Sequence, residues 1–241
     1  MAQTLEKMNI VVFAYDFPHK KSQEGIFELH LNRIRPTAVI GAPKVPIKFY
    51  QSKERIAPRG LSYEHTRDVC RCLGITYVSA AHDGGASWDV LDALKPDLGI
   101  VLGARILKRP TISKFKIGVL NMHPGILPGN RGLDNLKWSI LNDLPIGVTA
   151  HLIDEHVDRG RFICSRTVPV FYDDTIRDVF LRQQDVERQE MLRALEYLAK
   201  DPDPEHYDLL GKGTRYPAVP MLFELGLSRA WNEYKLKHGN P

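Results

Sequence analysis

The chain has 241 residues, enough for one substantial α/β domain or a domain with an appendage. Its 26% charged residues are ordinary for a globular protein, and a net charge of +4 suits a phosphorylated or carboxylated ligand without by itself indicating nucleic acid. No run approaches the roughly 20 apolar residues that span a bilayer, and the three cysteines, Cys70, Cys72 and Cys164, have neither disulfide-framework nor zinc-site spacing.

In chain order, Asn9 to Tyr15 (NIVVFAY) is a continuous apolar run, as expected of a strand covered on both faces. A helix is predicted over Gly25 to Arg33, a second strand over Thr37 to Gly41, and an irregular stretch from Lys44 to Pro58. Then come a helix over Tyr63 to Leu73, a short strand over Thr76 to Ser79, and a helix over Trp88 to Leu94 ended by Pro96. Asp97 to Gly103 and Ile117 to Met122 read as further buried strands. Gly147 to Ile153 and Arg161 to Val170 alternate more clearly and suit antiparallel partners. Asp174 to Lys200 keeps three-to-four apolar spacing, with Thr175 and Asp178 placed for a capping box. This alternation predicts an α/β fold: a Rossmann-like, mostly parallel sheet with flanking helices. The division expected is a catalytic domain over 1–200 and a small C-terminal appendage over 201–241, helical near Ser228 to Lys237. With no membrane span and no leader pattern, a cytoplasmic location is the default expectation.

The chemistry-bearing residues lie between Val119 and Ile163. Asn121 and His123, two apart at the end of a buried strand, project to the same side. The carboxyl ends of parallel strands are where open α/β sheets bind ligands. A Pro/Gly-rich loop, Pro124 to Gly132, follows, and Asp158 stands in a turn closed by Gly160. An Asn can donate to a carbonyl oxygen gaining negative charge, a His can exchange protons near neutrality, and an Asp can orient it. No Ser or Cys nucleophile belongs to this group, so direct attack by an amine fits better than a covalent intermediate. A metal site of Asp154, His156 and Asp158 is a weaker reading, because their spacing matches no recognised ligand pattern. The absence of any G-x-G-x-x-G argues against a dinucleotide cofactor.

Asn121-Met-His123-Pro124-Gly-Ile-Leu127-Pro128 resembles the N-x-H-P-x-x-L-P signature of the folate-dependent formyltransferases. Gly147-Val-Thr149-Ala-His-Leu-Ile-Asp154, followed by Asp158-Arg-Gly160, is similar to that family's second motif. The resemblance implies a catalytic triad of Asn121, His123 and Asp158 and N10-formyltetrahydrofolate as donor, without a metal. It places the pterin against Arg105, Ile106 and Leu107 and against Asp154, Glu155, His156 and Val157. The first strand is followed by AYDFPHKKSQ, not by the glycine-rich phosphate turn of the purine-pathway enzymes. The tail is too short for the C-terminal domain of the methionyl-tRNA enzymes. Within the family the chain therefore looks most like the sugar N-formyltransferases of the cell-surface polysaccharide type. That resemblance implies a nucleotide-linked amino sugar as acceptor, with Arg131 and Gly132 on the substrate; a diphosphate needs cations, and Lys20, Lys21, Lys44, Lys48, Lys53 and Arg55 in the N-terminal half are the candidates. It implies no nucleic-acid or membrane partner and leaves a homodimer open. Another small amine such as glycinamide ribonucleotide, or hydrolysis of formyltetrahydrofolate, remains the alternative.

Overall fold

The apolar runs become the central strands of a seven-stranded sheet. The computed structural model describes residues 5–46, 55–58, 60–156, 158–203 and 213–241. Lys48, Lys53 and Val157, and with them much of the stretch read as irregular, lie outside the described residues. Strand β1 (Ile10–Tyr15) leads into α1 (Lys20–Leu31), β2 (Ala38–Ala42), α2 (Thr66–Cys72), β3 (Tyr77–Ser79), α3 (Gly85–Leu94) and β4 (Leu98–Val101). A short α4 (Arg109–Ile112) precedes β5 (Gly118–His123), β6 (Asn130–Gly132), α5 (Asn135–Leu141), β7 (Gly147–Leu152) and β8 (Arg161–Thr167). The long α6 (Ile176–Lys200), β9 (Thr214–Tyr216), α7 (Met221–Glu224) and α8 (Leu227–His238) complete the chain.

The sheet order is β3-β2-β1-β4-β5-β7-β8. Pairings from β3 through β5 are parallel, and β7 and β8 are antiparallel, as the alternation of their sequences predicts. Apolar side chains fill both faces. Ile10, Val12, Ile100 and Leu120 belong to one core with Ile26 and Leu29 of α1 and Val179, Met191 and Leu195 of α6. Val11, Phe13, Ile40 and Val119 belong to the other, with Leu91 of α3 and Phe115. Two-sided burial is why these strands read as unbroken apolar runs.

Helix α1 begins five residues before the predicted start. Its cap is His19, whose side chain accepts from the Ser22 amide, and imidazole is not among the residue types that usually signal an N-cap. Helix α6 has its capping box: Thr175 accepts from the Asp178 amide, and the Asp178 side chain accepts from the Thr175 amide. The tail returns to the sheet domain. Strand β9 pairs with β6, Lys137 of α5 meets the buried Glu224 of α7 at 2.5 Å, and Trp138 stacks on Tyr216. Among the described residues no helix is long and apolar enough to cross a membrane.

Candidate active site

Strand order reverses about β1, so a crevice opens where the carboxyl ends of β1, β4 and β5 meet, and β5 delivers Asn121 and His123 there. Antiparallel β7 sets Thr149 opposite His123 and His151 opposite Asn121. Four polar side chains thus occupy adjacent positions on two strands whose other residues are mostly apolar. His123, Thr149 and His151 are almost fully buried, so each needs hydrogen-bond partners to offset lost hydration.

Each has them. His123 Nδ1 lies 3.1 Å from Asp158 Oδ1, and Nε2 lies 2.8 Å from the Asn130 carbonyl. Both ring nitrogens face oxygen acceptors, so the doubly protonated ring can donate to both. The Asn130 carbonyl is fixed by its own loop. The Asn135 amide donates to it at 3.1 Å, while the Asn130 side chain donates to the Asn135 carbonyl and Ser139. Thr149 accepts from the Leu127 amide at 3.0 Å and donates to the Gly125 carbonyl at 2.8 Å. From helix α6, Gln183 donates to the Pro124 and Gly147 carbonyls. The Pro/Gly loop after His123 is therefore tied at both ends.

Asp158 adopts a left-handed backbone conformation, φ 51°, and its second oxygen accepts from the Gly132 amide at 2.7 Å. Burial pushes the carboxyl upward. The hydrogen bond and charge of His123, the Gly132 amide and the His151 ring outweigh it and hold Asp158 below the ordinary carboxylate value. Gly132 has φ 101°, and a Cβ there would run into the Tyr216 carbonyl. Only glycine lets β6 present this amide to Asp158 and still pair with β9.

His151 is a component that the motif contains but sequence reasoning did not assign. Its Nε2 lies 3.2 Å from Asn121 Nδ2, and its Nδ1 lies 3.0 Å from the Arg159 carbonyl. A carbonyl only accepts, so Nδ1 carries the proton and Nε2 accepts from the Asn121 amide. That fixes which way the amide faces and leaves its second N–H for a ligand. Burial above all, with the charge of His123 adding to it, drives His151 down to about 4, against smaller opposing effects from Asp158 and the Arg159 carbonyl. The signal in the sequence was Thr149 and His151 at alternate positions of an otherwise apolar strand.

A stability consequence follows with a definite sign. The unfolded imidazole titrates near 6.5 and the folded one near 4, so protons prefer the unfolded chain between these values. Stability should fall as pH drops from about 6.5 to 4, by on the order of 3 kcal/mol from this group. Urea midpoints across that range should decline less steeply for His151→Gln than for the wild type. Parallel slopes would show that His151 is not held neutral.

The loop after β4 brings Arg105 and Ile106 to the same edge of the sheet, both exposed. Leu107 turns its side chain into the core with Phe13 and Phe115. In the loop after β7, Glu155 and His156 are exposed, and Asp154 accepts from the His156 amide at 2.8 Å. Asp158 points instead to His123 and Gly132, so Asp154, His156 and Asp158 do not converge on one point. Beside the site a groove of about 320 Å³ runs along His19, Lys21, Leu102, Met122, Pro124 and Arg188. Its cations are matched by anions: Lys20 and Arg188 with Glu24, and Lys21 with Glu187.

An Asn-His-Asp cluster at the carboxyl edge of a mostly parallel sheet is an arrangement suited to chemistry at a carbonyl group. Residues 8–195 match the family model described as formyl transferase. A methionyl-tRNA formyltransferase from Roseiflexus sp. (strain RS-1) is 42% identical over 82 residues, which are 33% of this chain and 25% of the relative. A GDP-perosamine N-formyltransferase from Brucella melitensis is 28% identical over 171 residues, 70% of this chain and 64% of the relative. The matches thus span between a quarter and just under two thirds of these two relatives. The solved structure of an N-formyltransferase from Helicobacter canadensis, in complex with folinic acid and dTDP-3-aminofucose, shares the fold. Its TM-score is 0.60 at 18% identity, covering 88% of this chain and 71% of that one. This chain belongs to the formyl transferase family.

Proposed function

We propose that the protein transfers a formyl group from N10-formyltetrahydrofolate to the amine of a nucleotide-linked amino sugar. The observation that carries the reading is Asn121, oriented by His151 and keeping one amide N–H for a ligand beside the His123–Asp158 pair. When bound, the donor supplies an activated formyl carbon. The exposed Ile106 offers an apolar surface and Arg105 a cation at the mouth of the site, which suits the flat ring and acidic tail of a folate.

As the unprotonated amine attacks the formyl carbon, negative charge builds on the formyl oxygen. The free N–H of Asn121 stabilises that charge, and a protonated His123 adds its positive field. Asp158 keeps His123 in place and sets a negative charge beside Nδ1 of the ring. The C–N bond to the carrier then breaks, and the proton lost by the amine replaces the formyl group on the carrier nitrogen. Two substrates held side by side provide much of the remaining acceleration.

Three features support a nucleotide-linked amino sugar. The turn after β1 is Asp16–His19, capped by a histidine instead of a glycine-rich phosphate loop. The Brucella relative is named for GDP-perosamine, and the Helicobacter canadensis structure holds dTDP-3-aminofucose. The test offers dTDP-, UDP- and GDP-linked amino sugars beside the free amino sugar, glycinamide ribonucleotide and charged initiator tRNA. At least one nucleotide sugar should be formylated with the highest kcat/KM, because remote binding positions the amine. Preferred formylation of the free sugar, the ribonucleotide or the tRNA would overturn the acceptor assignment.

A further inference from the structure

Of the four cations offered by the sequence for a diphosphate that lie in the described residues, three are engaged elsewhere. Lys20 and Lys21 are paired with glutamates, and the Arg55 guanidinium donates to the Ala57 and Pro58 carbonyls. A different basic group has little matching negative charge among the described residues. In the parallel pairing of β6 with β9, Arg131 stands in register with Arg215. Register partners share a face of the ladder, and like charges placed so repel. Arg131 is only 6% exposed, and its Nε is buried with no hydrogen-bond partner, while Nη2 donates to the Gly213 carbonyl. Arg159, next to Asp158, adds a third guanidinium close enough for its charge to act on Arg131. Among the described residues the carboxylate whose charge acts on Arg131 is Asp158, which is already held by His123 and Gly132.

Among the described residues, three guanidinium groups beside one engaged carboxylate leave a local excess of positive charge. Burial of an unpartnered guanidinium nitrogen and a like-charged register pair both cost stability, and a bound oxyanion relieves both. We infer that Arg131, Arg159 and Arg215 form a phosphoryl-binding site that takes the diphosphate of the acceptor. This inference rests on the nucleotide-sugar reading above. Planar guanidinium forks match phosphoryl oxygens in pairs, and two neighbouring arginines suit two linked phosphoryl groups. The placement also fits the chemistry. Arg131 lies between Asn130, whose carbonyl meets His123, and Gly132, whose amide meets Asp158. The diphosphate would thus sit within one sugar ring of the triad, and the C-terminal strand β9 would supply part of the site.

The probe is inorganic pyrophosphate, titrated calorimetrically into the full-length chain. Variants are Arg215→Gln, Arg159→Gln and Arg215→Lys; Arg215 is exposed, so its replacement should leave the fold intact by circular dichroism. The wild type should bind pyrophosphate, and each Gln variant should weaken binding by about 10-fold or more. Arg215→Lys should restore part of it. KM for the nucleotide sugar should rise in parallel and KM for the folate should not. Absent binding by the wild type, or binding by both Gln variants as tight as that of the wild type, overturns the site. A rise in folate KM instead would show that the arginines hold the folate carboxylates, and also overturns it. If no nucleotide sugar is formylated but pyrophosphate binding still depends on these arginines, the acceptor reading fails and the phosphoryl site stands. If a nucleotide sugar is formylated with unchanged KM by the Gln variants, the reverse holds.

Discussion

Asn121→Ala is expected to lower turnover by about 100- to 1,000-fold, the scale for losing one donor to a developing oxyanion. Asn121 is half-buried, so the loss of packing is small. His151 Nε2 loses its donor, at a cost of about 1 kcal/mol. Asn121→Asp is the sharper test. Its carboxylate keeps the shape but only accepts, so it cannot donate to the oxyanion or to His151. At neutral pH it would face a neutral, accepting imidazole held down at about 4. Turnover should be no better than in the Ala variant, and the His151 ring should titrate higher by NMR because an added negative charge favours its protonated form. Retention of more than a tenth of wild-type turnover by either variant would remove Asn121 from the mechanism.

The parts of this site legible in the sequence are those fixed by local pattern. Asn121 and His123 stand two apart at the end of an apolar run, and strand periodicity alone sets them on one side. Asp158 before Arg-Gly marks a turn, and the left-handed backbone it adopts is one that aspartate tolerates. Helix α6 was legible because its apolar spacing and capping box agree. What local pattern does not contain is pairing across long separations. Strand β6 is three residues of Asn-Arg-Gly, with no strand signature, and it exists because β9 lies beside it 84 positions later. The Arg131–Arg215 pairing follows from that ladder and from nothing nearer in the chain. Helix α5 was missed for a related reason. Six of its seven residues are buried, so it shows no clean polar face, and its Lys137 enters the interior to meet Glu224 of the tail. The pair of Lys20 with Glu24 is local, four residues apart on α1, but charge counting could not show that Lys21 and Arg188 are neutralised, because Glu187 and Glu24 reach them only once α1 lies beside α6.

Asp158→Asn should lower turnover by about 100-fold or more while keeping the shape of the site. The amide oxygen can still accept from Gly132, and the amide nitrogen can donate to His123 Nδ1, so the ring keeps its place as a neutral tautomer with Nε2–H on Asn130. What is lost is the carboxylate that faces Nδ1 of the ring, and with it the ion pair through which a doubly protonated His123 would stand beside the formyl oxygen. Stability offers an independent check. The folded carboxyl titrates below its ordinary value, so its contribution to stability is present above about pH 4, the unfolded value, and is lost as pH falls through the folded one. Wild type should therefore exceed Asp158→Asn in urea midpoint at pH 7, and the gap should narrow below about pH 4. Asp158→Ala should be less stable than the Asn variant at both values, since the Gly132 amide then loses its acceptor whatever the pH. A gap between wild type and the Asn variant that stayed constant down to pH 3 would mean that Asp158 is not ionised against His123, and the charge-based role assigned to the pair would fall with it.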